Sequence, residues 1–463
     1  MVTAARIPVN GDAASVFHVM SKPTGAACNL NCEYCFFLSK EQLYQGSTFR
    51  MTEAVQEASI RQLLEVHAWA GEVTVAWQGG EPTLMGLDFF RRSIELERRY
   101  AQPGQQILNT LQTNGTLLTD EWGQFLKENR FLVGISIDGP AHIHDAYRVD
   151  KGGMPTFERV IRGLDLLKKH HVDWNVLTTV HAVNGDHGGA VYRFLRDDLA
   201  ATFIQFIPIV ERATPDKLQI ANAGWGSGEH TQRPLYTQQG ALVTQRSIGP
   251  DQFGRFMIDV FEDWVRHDIG LVYVQMFDST LANFCSETSG VCVYAKTCGQ
   301  QLALEHNGDL YSCDHYVEPG YLLGNIMERH MQELAGLPRQ RSFGQDKHDT
   351  LTAYCRDCDV RFACNGGCPK DRFAISPDGE PGQQYLCAGY KAFFTHVRQP
   401  MEVMAQLLRE HRAPAELMYV YAANDRRRPG NAPCTCGSGK KWKRCHGLHR
   451  SVGGQRSNVY RTQ

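Results

Sequence analysis

The sequence predicts an α/β protein built on a parallel β-sheet, and two observations support that prediction. Between residues 15 and 210, six short runs rich in β-branched and aromatic residues alternate with segments long enough for helices. Alternating strands and helices form parallel sheets with right-handed crossovers. Six strand–helix units are fewer than the eight that close a complete barrel, so an open doubly wound sheet and a partial barrel both fit.

Chemically distinctive motifs follow the first four of these strands. The six predicted strands are SVFHVMSK, EVTVAW, ILNTLQT, FLVGISID, WNVLTTVHAV and FIQFIPIV. The motifs are Cys28-x3-Cys32-x2-Cys35, then QGGEP at 78–82, QTNG at 112–115 and DGP at 138–140. Because the carboxyl ends of parallel strands meet at one edge, where both fold types bind ligands, we expect one site there.

The second half of the chain divides into four stretches. Residues 212–249 are polar and rich in Gly, Gln and Thr, which is typical of a lid, an insertion or a linker. Apolar residues at helical spacing from Phe253 to Val265 predict an amphipathic core helix that Gly270 can end. A cysteine-rich region covers 285–390, and a helical stretch follows to about Tyr421. A breaker-rich linker at 426–430 then leads to a small terminal module.

The composition is that of a packed globular protein without a bulk preference for a charged partner. The chain has 463 residues, of which 42% are apolar and 21% charged, and its net charge is −2. This balance favours neither nucleic acid nor an anionic membrane. No apolar run approaches the roughly 18 residues that span a bilayer, and residues 1–17 lack a signal-peptide core. We therefore expect a cytoplasmic protein without a membrane or nucleic-acid partner.

The 15 cysteines are better explained by metal binding than by disulfides, because a cytoplasmic chain sits in a reducing compartment. Cys28, Cys32 and Cys35 can hold three corners of a [4Fe–4S] cube and leave its fourth iron open to a small ligand. A structural zinc site is the alternative, but it needs four ligands and no fourth is evident. Three unligated cysteines on one short loop are the least favoured interpretation.

The spacing of this first block, with Tyr34 before its last cysteine, resembles the signature of the radical S-adenosylmethionine (SAM) superfamily. The resemblance implies a partial (β/α)6 barrel and a SAM molecule that is cleaved to a 5′-deoxyadenosyl radical, which removes a substrate hydrogen atom. GGEP at 79–82 resembles the superfamily motif in which the backbone of Gly79 and Gly80, together with Glu81, meets the SAM ammonium. Ser136 and Arg148 match positions that bind the ribose and carboxylate, although such residues more often serve packing and solvated charge.

Eight further cysteines between residues 292 and 387 are the number that two complete [4Fe–4S] clusters need, and two zinc sites are the alternative. Their order resembles the SPASM domain of peptide-modifying radical SAM enzymes. That resemblance implies two ligand sets. They are Cys292, Cys298, Cys313 and Cys368 for auxiliary cluster I, and Cys355, Cys358, Cys364 and Cys387 for auxiliary cluster II.

The sequence around these cysteines is similar to that of the anaerobic sulfatase-maturating enzymes, and the similarity extends from about residue 18 to 400. The segments concerned are GDLYSCDH at 308–315, LGNI at 323–326, CNGGCPKDR at 364–372 and LCAGY at 386–390. The family oxidises a Cys or Ser of a sulfatase polypeptide to Cα-formylglycine. The resemblance implies three [4Fe–4S] clusters, SAM, and a one-electron donor such as flavodoxin or ferredoxin.

This reaction removes a hydrogen atom, a proton and one further electron, so it needs a base and an electron acceptor. Asp314 matches the family's base, and we expect nearby thiolates to raise its pKa. As an alternative, Asp314 only caps a turn. Gln78 matches a residue at the substrate peptide. Phe37 departs from the family, because many relatives have tyrosine there.

The terminal module offers three thiols and one imidazole, which suit tetrahedral Zn²⁺, and its sequence resembles the SEC-C motif. The four ligands are Cys434, Cys436, Cys445 and His446. Lys440, Lys441, Lys443 and Arg444 form a small basic face, which is most often only solvated. We expect the metal to supply the folding energy of the module and the module to serve recruitment rather than chemistry.

The sequence thus predicts a maturase, with a thioether-forming or carbon–carbon crosslinking SPASM enzyme as the nearest alternative. A non-catalytic iron–sulfur or zinc scaffold is a third possibility, disfavoured by GGEP. The predicted divisions are an N-terminal segment 1–17, the radical SAM barrel 18–250, a connecting helix 251–290, the SPASM domain 291–400, a helix and linker 401–428 and the zinc module 429–463.

Overall fold

The computed structural model describes residues 16–225 and 234–447, and its centre is a ten-stranded sheet. The strands of this sheet are β1 (His18–Lys22), β2 (Glu72–Trp77), β3 (Gln106–Thr113), β4 (Leu132–Ser136), β5 (Asp173–Val180), β6 (Phe203–Pro208), β9 (Tyr273–Val274), β10 (Gln301–Glu305), β11 (Asp309–Tyr311) and β12 (Leu322–Asn325). The two small hairpins are β7 (Arg212–Ala213) with β8 (Leu242–Val243), and β13 (Arg372–Ile375) with β14 (Pro381–Gln384).

Helices cover the sheet and follow its strands. They are α1 (Glu53–Val66), α2 (Leu87–Tyr100), α3 (Asp120–Glu128), α4 (Ala141–His144), α5 (Phe157–Lys169), α6 (Gly188–Arg193), α7 (Leu218–Ala223), α8 (Pro250–His267), α9 (Gln275–Phe284), α10 (Met331–Ala335), α11 (Pro338–Asp349), α12 (Ala353–Arg356), α13 (Arg361–Cys364), α14 (Cys387–Arg409) and α15 (Leu417–Arg427). Local capping begins several of them. The Thr52 hydroxyl accepts from the Val55 amide at the start of α1, and Thr119 does the same for Trp122 in α3.

The strand order decides between the two predicted fold types. All six predicted strands form, and they lie side by side in chain order, β1 to β6, with parallel pairing throughout. A doubly wound sheet reverses its order in the middle, whereas a barrel adds each new strand on the same side. The partial-barrel prediction is therefore confirmed.

The cysteine-rich half of the chain joins the same sheet. Strand β10 pairs in parallel with β1 over five residues, from His18 opposite Gln301 to Lys22 opposite Glu305. Strands β11 and β12 then extend the sheet in antiparallel fashion. The two halves of the chain are thus connected by backbone hydrogen bonds.

The long helices α8 and α14 pack on each other through a glycine contact. A Cβ on Gly389 would lie 2.1 Å from the carbonyl oxygen of Pro250, and one on Gly254 would lie 2.8 Å from the Gly389 Cα. Only glycine allows this approach, which explains the small residues after Cys387. The contact seats the first turn of α14 against α8.

Two details of the predicted second half are corrected by the structure. Helix α8 ends at His267, so Gly270, in a left-handed turn, does not end it. The predicted linker at 426–430 begins too early, because Arg426 and Arg427 lie in α15; Pro429, which has no amide hydrogen, stops the helix. Of the expected insertion at 212–249, the described part forms β7, α7 and β8, while residues 226–233 lie outside the described residues. Residues 1–15 and 448–463 of the predicted terminal segments also lie outside them.

Candidate active site

The cysteine loop after β1 is held by the GGEP turn after β2. The Gly80 amide donates to the Gly25 carbonyl and the Glu81 amide to the Ala27 carbonyl, both at 2.9 Å. A Cβ on Gly80 would lie 2.0 Å from the Ala27 oxygen, so the two backbones touch only because residue 80 is glycine. The motif therefore fixes the loop that carries the three cysteines.

The carboxylate of Glu81 is fully buried and bound within the chain. It accepts hydrogen bonds from the Thr83 hydroxyl at 2.6 Å, the Thr113 hydroxyl at 2.8 Å and the Asn114 amide at 2.8 Å. Burial raises the pKa of Glu81, and these hydrogen bonds oppose that rise. This side chain therefore ties the end of β2 to the end of β3.

The thiols of the first block lie close to one another. Burial raises the pKa of Cys28 well above its usual value, and the neighbouring charges of Glu81, Cys32 and Cys35 raise it further. Burial likewise raises the pKa of Cys32 to about 12, although Arg148 opposes that rise. Buried thiols that repel each other's charge need a cation or a metal cluster to be deprotonated.

Arg148 lies beside this loop in a buried ion pair that the sequence did not predict. Its Nε and one Nη donate to the two carboxylate oxygens of Asp138 at 2.9 and 3.2 Å, and the Tyr34 hydroxyl donates to Asp138 at 2.6 Å. Arg148 thus presents its charge to Cys32 from a fixed position. Ser136, at the end of β4, accepts from the Gln112 amide nitrogen at 3.1 Å.

Asp314 and the end of β1 meet across the sheet. The carboxylate of Asp314 forms an ion pair with Lys22, whose side chain is 4% exposed. The Lys22 ammonium lies 4.6 Å from the centroid of the Phe37 ring, a cation–π contact. Strand pairing of Ser21 with Trp77 sets Gln78 beside Lys22. The structure therefore brings together the predicted base, the predicted substrate residue and the aromatic ring that departs from the family.

The expected rise in the pKa of Asp314 is wrong in this structure. Burial does raise it, but the charges of Lys22, His315 and Lys40 outweigh burial and hold the pKa below its ordinary value. The prediction rested on the nearby thiolates, whereas the cation that decides the sign of the pKa shift, Lys22, lies 292 residues away in the chain. Lys22 was missed, although its place at the carboxyl end of β1 was a usable signal.

The eight later cysteines separate into two groups in space. Burial raises the pKa of Cys313, with Cys368 and Cys292 adding to the rise, and Cys292 also acts on Cys298. The other four, Cys355, Cys358, Cys364 and Cys387, line one cavity together. These are the two sets that the SPASM resemblance implied.

Lys347 is a second functional candidate that the sequence did not reveal. Its buried ammonium donates to the carbonyl oxygens of Cys292 at 2.7 Å and Val293 at 3.0 Å. Burial lowers the pKa of Lys347 to about 8, and the thiols of Cys298 and Cys292 oppose that fall. The lysine holds the loop that carries the first two cysteines of one set.

The terminal module contains a compact metal-ligand group. Its four ligand atoms lie within 4.8 Å of one another, with Cys434 Sγ 3.2 Å from His446 Nδ1 and Cys436 Sγ 3.6 Å from Cys445 Sγ. Over residues 16–225 and 234–447, no other cluster of His, Cys, Asp and Glu side chains is close enough to hold a single ion.

The module packs on α8 and α15. Arg266 donates to Asp425 at 3.0 Å and to the Thr435 hydroxyl at 3.1 Å, and its guanidinium lies 5.2 Å from the Trp442 ring centroid. Glu262 bonds both Arg266 and Thr435. None of the described helices has the length and apolar character that crossing a membrane requires.

Three family models match this chain and define its class of protein. The Radical SAM superfamily model matches residues 23–195, an iron–sulfur cluster-binding SPASM model matches 292–359, and a SEC-C motif model matches 431–448. The chain is thus a radical SAM protein with a SPASM domain and a SEC-C motif. This agrees with the thiols, the GGEP turn and the sheet described above.

Individual relatives then define the family. The chain is 43% identical to a serine-type anaerobic sulfatase-maturating enzyme of Bacteroides thetaiotaomicron, over 88% of this chain and 95% of the relative. It is 32% identical to a cysteine-type enzyme of Clostridium perfringens, over 82% and 95%. The solved structure "Native anSMEcpe with bound AdoMet" matches with a TM-score of 0.72 at 32% identity, over 84% of this chain and 99% of that one. The chain belongs to the anaerobic sulfatase-maturating enzymes, and the predicted radical oxidation to formylglycine is confirmed at the level of the family.

Proposed function

We propose that this chain oxidises a Cys or Ser of a sulfatase polypeptide with Asp314 as the base. The observation that carries the assignment is the ion pair between buried Lys22 and partly exposed Asp314, beside Gln78. After the hydrogen atom has left Cβ, the thiol or hydroxyl of the substrate must lose a proton, which needs a carboxylate held at one place, and the ion pair does this. Gln78 offers an amide to the substrate backbone from the adjacent strand end.

Cys28, Cys32 and Cys35 would hold the first [4Fe–4S] cluster. The residues fit the group: they are mutually close, with Cys32 buried and Cys28 and Cys35 partly exposed, yet they do not form a cluster tight enough for a single ion. When bound, the cluster and SAM supply the radical that takes the substrate hydrogen atom. Gly79 and Gly80 would contact SAM through their backbone, with Glu81 bracing the turn.

Ser136 and Arg148 would complete the SAM site. Ser136 lies at the end of β4, and the side-chain amide of Gln112 fixes its hydroxyl. The Asp138 carboxylate orients the Arg148 guanidinium, so its charge is available without rearrangement. In the apo chain the same carboxylate stabilises this buried cation.

Two further clusters would accept the second electron. The set Cys292, Cys298, Cys313 and Cys368 lies next to Asp314, and the set Cys355, Cys358, Cys364 and Cys387 lines the cavity at the start of α14. Four thiols in each set complete a cluster without an open iron, which suits electron transfer rather than substrate binding.

The tail would bind one zinc ion through Cys434, Cys436, Cys445 and His446. The hydrogen bond with Cys436 lowers the pKa of Cys434, and the bond with His446 adds to this fall, so the group favours a bound thiolate. We further infer a cytoplasmic protein that receives electrons from a flavodoxin or ferredoxin. We also propose that the radical SAM barrel covers residues 18–250, the SPASM domain 291–400 and the zinc module 429–463.

Anoxic reconstitution with iron, sulfide, SAM and dithionite tests the proposed function. Peptides carrying Cys-x-Pro-x-Arg and Ser-x-Pro-x-Arg are offered, and a hydrazine traps any aldehyde. We expect aldehyde from at least one peptide, with 5′-deoxyadenosine formed alongside, because relatives of both types match the chain. Omission of SAM is the control. SAM cleavage with both peptides returned unaltered would favour the crosslinking alternative.

A further inference from the structure

The terminal module and α14 together form a groove that opens next to the second set of SPASM cysteines. The groove has a volume of about 620 Å³ and is lined by Tyr354, Lys391 and Thr395 on one side and Thr435, Cys436 and Gly437 on the other. Tyr354 and Lys391 also line the neighbouring cavity that contains all four thiols of that set. A protein bound in the groove would therefore be separated from those cysteines only by the side chains of Tyr354 and Lys391.

The module that forms this wall is strongly basic. Residues 426–447 contain seven Lys and Arg, and all 50 Asp and Glu of the chain lie outside that segment. Six of the seven cations are exposed: Arg426, Arg427, Lys440, Lys441, Lys443 and Arg444. Within the part of the chain that the structure describes, none of these six forms an ion pair with the protein itself.

The carboxylates around the module are mostly committed elsewhere. Glu262 and Asp425 bond Arg266, while Asp359 bonds Arg398 at 3.0 Å. Asp186 bonds Arg255 at 3.0 Å. Asp259 lines a cavity together with Asp186, Lys440 and Arg444, and its charge lowers the net positive charge of this surface. The patch therefore keeps a net positive electrostatic potential, which steers acidic partners toward it.

We propose that this basic module and groove are the docking site of a small acidic one-electron carrier protein of the flavodoxin or ferredoxin class. The proposal rests on the proposed iron–sulfur centre at Cys355, Cys358, Cys364 and Cys387. The electron that aldehyde formation releases reduces that centre and passes to the oxidised carrier, which becomes reduced by one electron. No bond forms or breaks in this step. Attraction of this carrier by the positive potential would give the terminal module a function alongside the radical SAM and SPASM domains.

The test measures binding of oxidised flavodoxin to the anoxically reconstituted full-length enzyme. The variant Lys440→Glu/Lys441→Glu/Lys443→Glu is compared with Lys127→Glu/Lys151→Glu/Arg162→Glu, a matched triple of exposed cations on the barrel. We expect the Kd of the tail variant to rise at least about tenfold at low salt and the control to change less than about twofold. We expect the difference in Kd between the tail variant and the barrel variant to disappear at about 0.5 M salt, because the charges are then screened. Flavin semiquinone formed during turnover falls in parallel.

Zinc content and dithionite-driven aldehyde formation show whether the tail variant is folded and whether the proposed function itself holds. Where the triple change loses zinc, Arg426→Glu/Arg427→Glu tests the same charge outside the metal loop. Equal flavodoxin affinity in tail and barrel variants would overturn the proposal. So would salt-dependent binding of bulk tRNA by the wild-type enzyme without any binding of flavodoxin, since it would identify nucleic acid as the partner.

Discussion

The proposed base, Asp314, is paired with a residue from the other half of the chain. It follows Cys313, a proposed cluster ligand, and its ion-pair partner is the ammonium of Lys22 at the end of β1, which contacts the Phe37 ring. The Phe37 ring offers its π-face to this ammonium, 4.6 Å from the ring centroid. Here the lysine is thus the group that directs the carboxylate.

Replacing Asp314 by Asn should separate the two halves of the reaction. The amide keeps the shape of the side chain but cannot accept the substrate proton, so we expect SAM cleavage to persist while aldehyde falls by roughly 100-fold. The measurement is the ratio of aldehyde to 5′-deoxyadenosine in anoxic assays. An unchanged ratio would remove the role assigned to Asp314.

Lys22→Met should lower the same ratio by about tenfold, because the carboxylate loses the charge that fixes its position. Lys22→Arg should recover most of it, since a cation returns to the same pocket. Peptide affinity measured by calorimetry serves as the control and should stay within about twofold. Equal loss in both variants, together with lost iron, would mean that Lys22 is only structural.

Candidate-site residues that stand in local motifs were predictable from the sequence, whereas residues paired across the fold were not. Cys28, Glu81 and Asp314 stand in short recognisable patterns, so they were predictable from the chain alone. Lys22 pairs with Asp314, which is distant in sequence, and Lys347 donates to a loop carbonyl. No local sequence pattern predicts such contacts. The pKa of Asp314 had the wrong sign for the same reason.

Among the elements, the strands were the most predictable. Each of the six buries part of its side chains in the core, as Val73, Val75 and Trp77 of β2 show, and tertiary packing therefore agrees with the local preference for strand. Helix ends were less predictable. Gly270 was expected to end α8, but the helix stops at His267 because residues 268–272 turn back toward β9. Such a turn depends on the sheet that receives it.

Helix α2 contains a buried acid whose titration should affect stability. Glu97 is 4% exposed, and burial raises its pKa to about 7 from 4.5, with the Asn109 hydrogen bond opposing. The folded state therefore binds more protons than the unfolded chain between these values. Stability contributed by this group is present below pH 4.5 and is lost as the pH rises through about 7.

Glu97→Gln should consequently be stabilising above pH 7 by about 3 kcal/mol, and close to neutral near pH 4.5. The amide keeps the bond with Asn109 and removes the ionisation. Unfolding midpoints of both proteins across this pH range provide the measurement. Parallel pH profiles would contradict the assignment of a neutral Glu97.

At the scale of the whole molecule, the terminal module is attached through side chains, while the SPASM half is attached through strands. The module contacts α8 by way of Arg266, Thr435 and Trp442. The SPASM half shares the ladder between β1 and β10. The two attachments predict different responses to metal loss.

Removing zinc with a chelator should release the module while leaving the body folded. Structural zinc supplies the folding energy of such small units, so we expect a change in Trp442 fluorescence with little loss of dithionite-driven aldehyde formation. The anoxic protein should carry one zinc before treatment. Activity that disappears in step with zinc would show that the tail serves the chemistry directly.

The pairing of β1 with β10 also has a consequence during synthesis. The two partners are separated by about 280 residues of chain, and such distant pairing is slow to form. Until the ribosome has delivered residues 301–305, β1 presents an uncovered edge that invites association with other nascent chains. A product truncated before that point should aggregate, and its cysteine loop, anchored to the same strand, should not acquire stable iron.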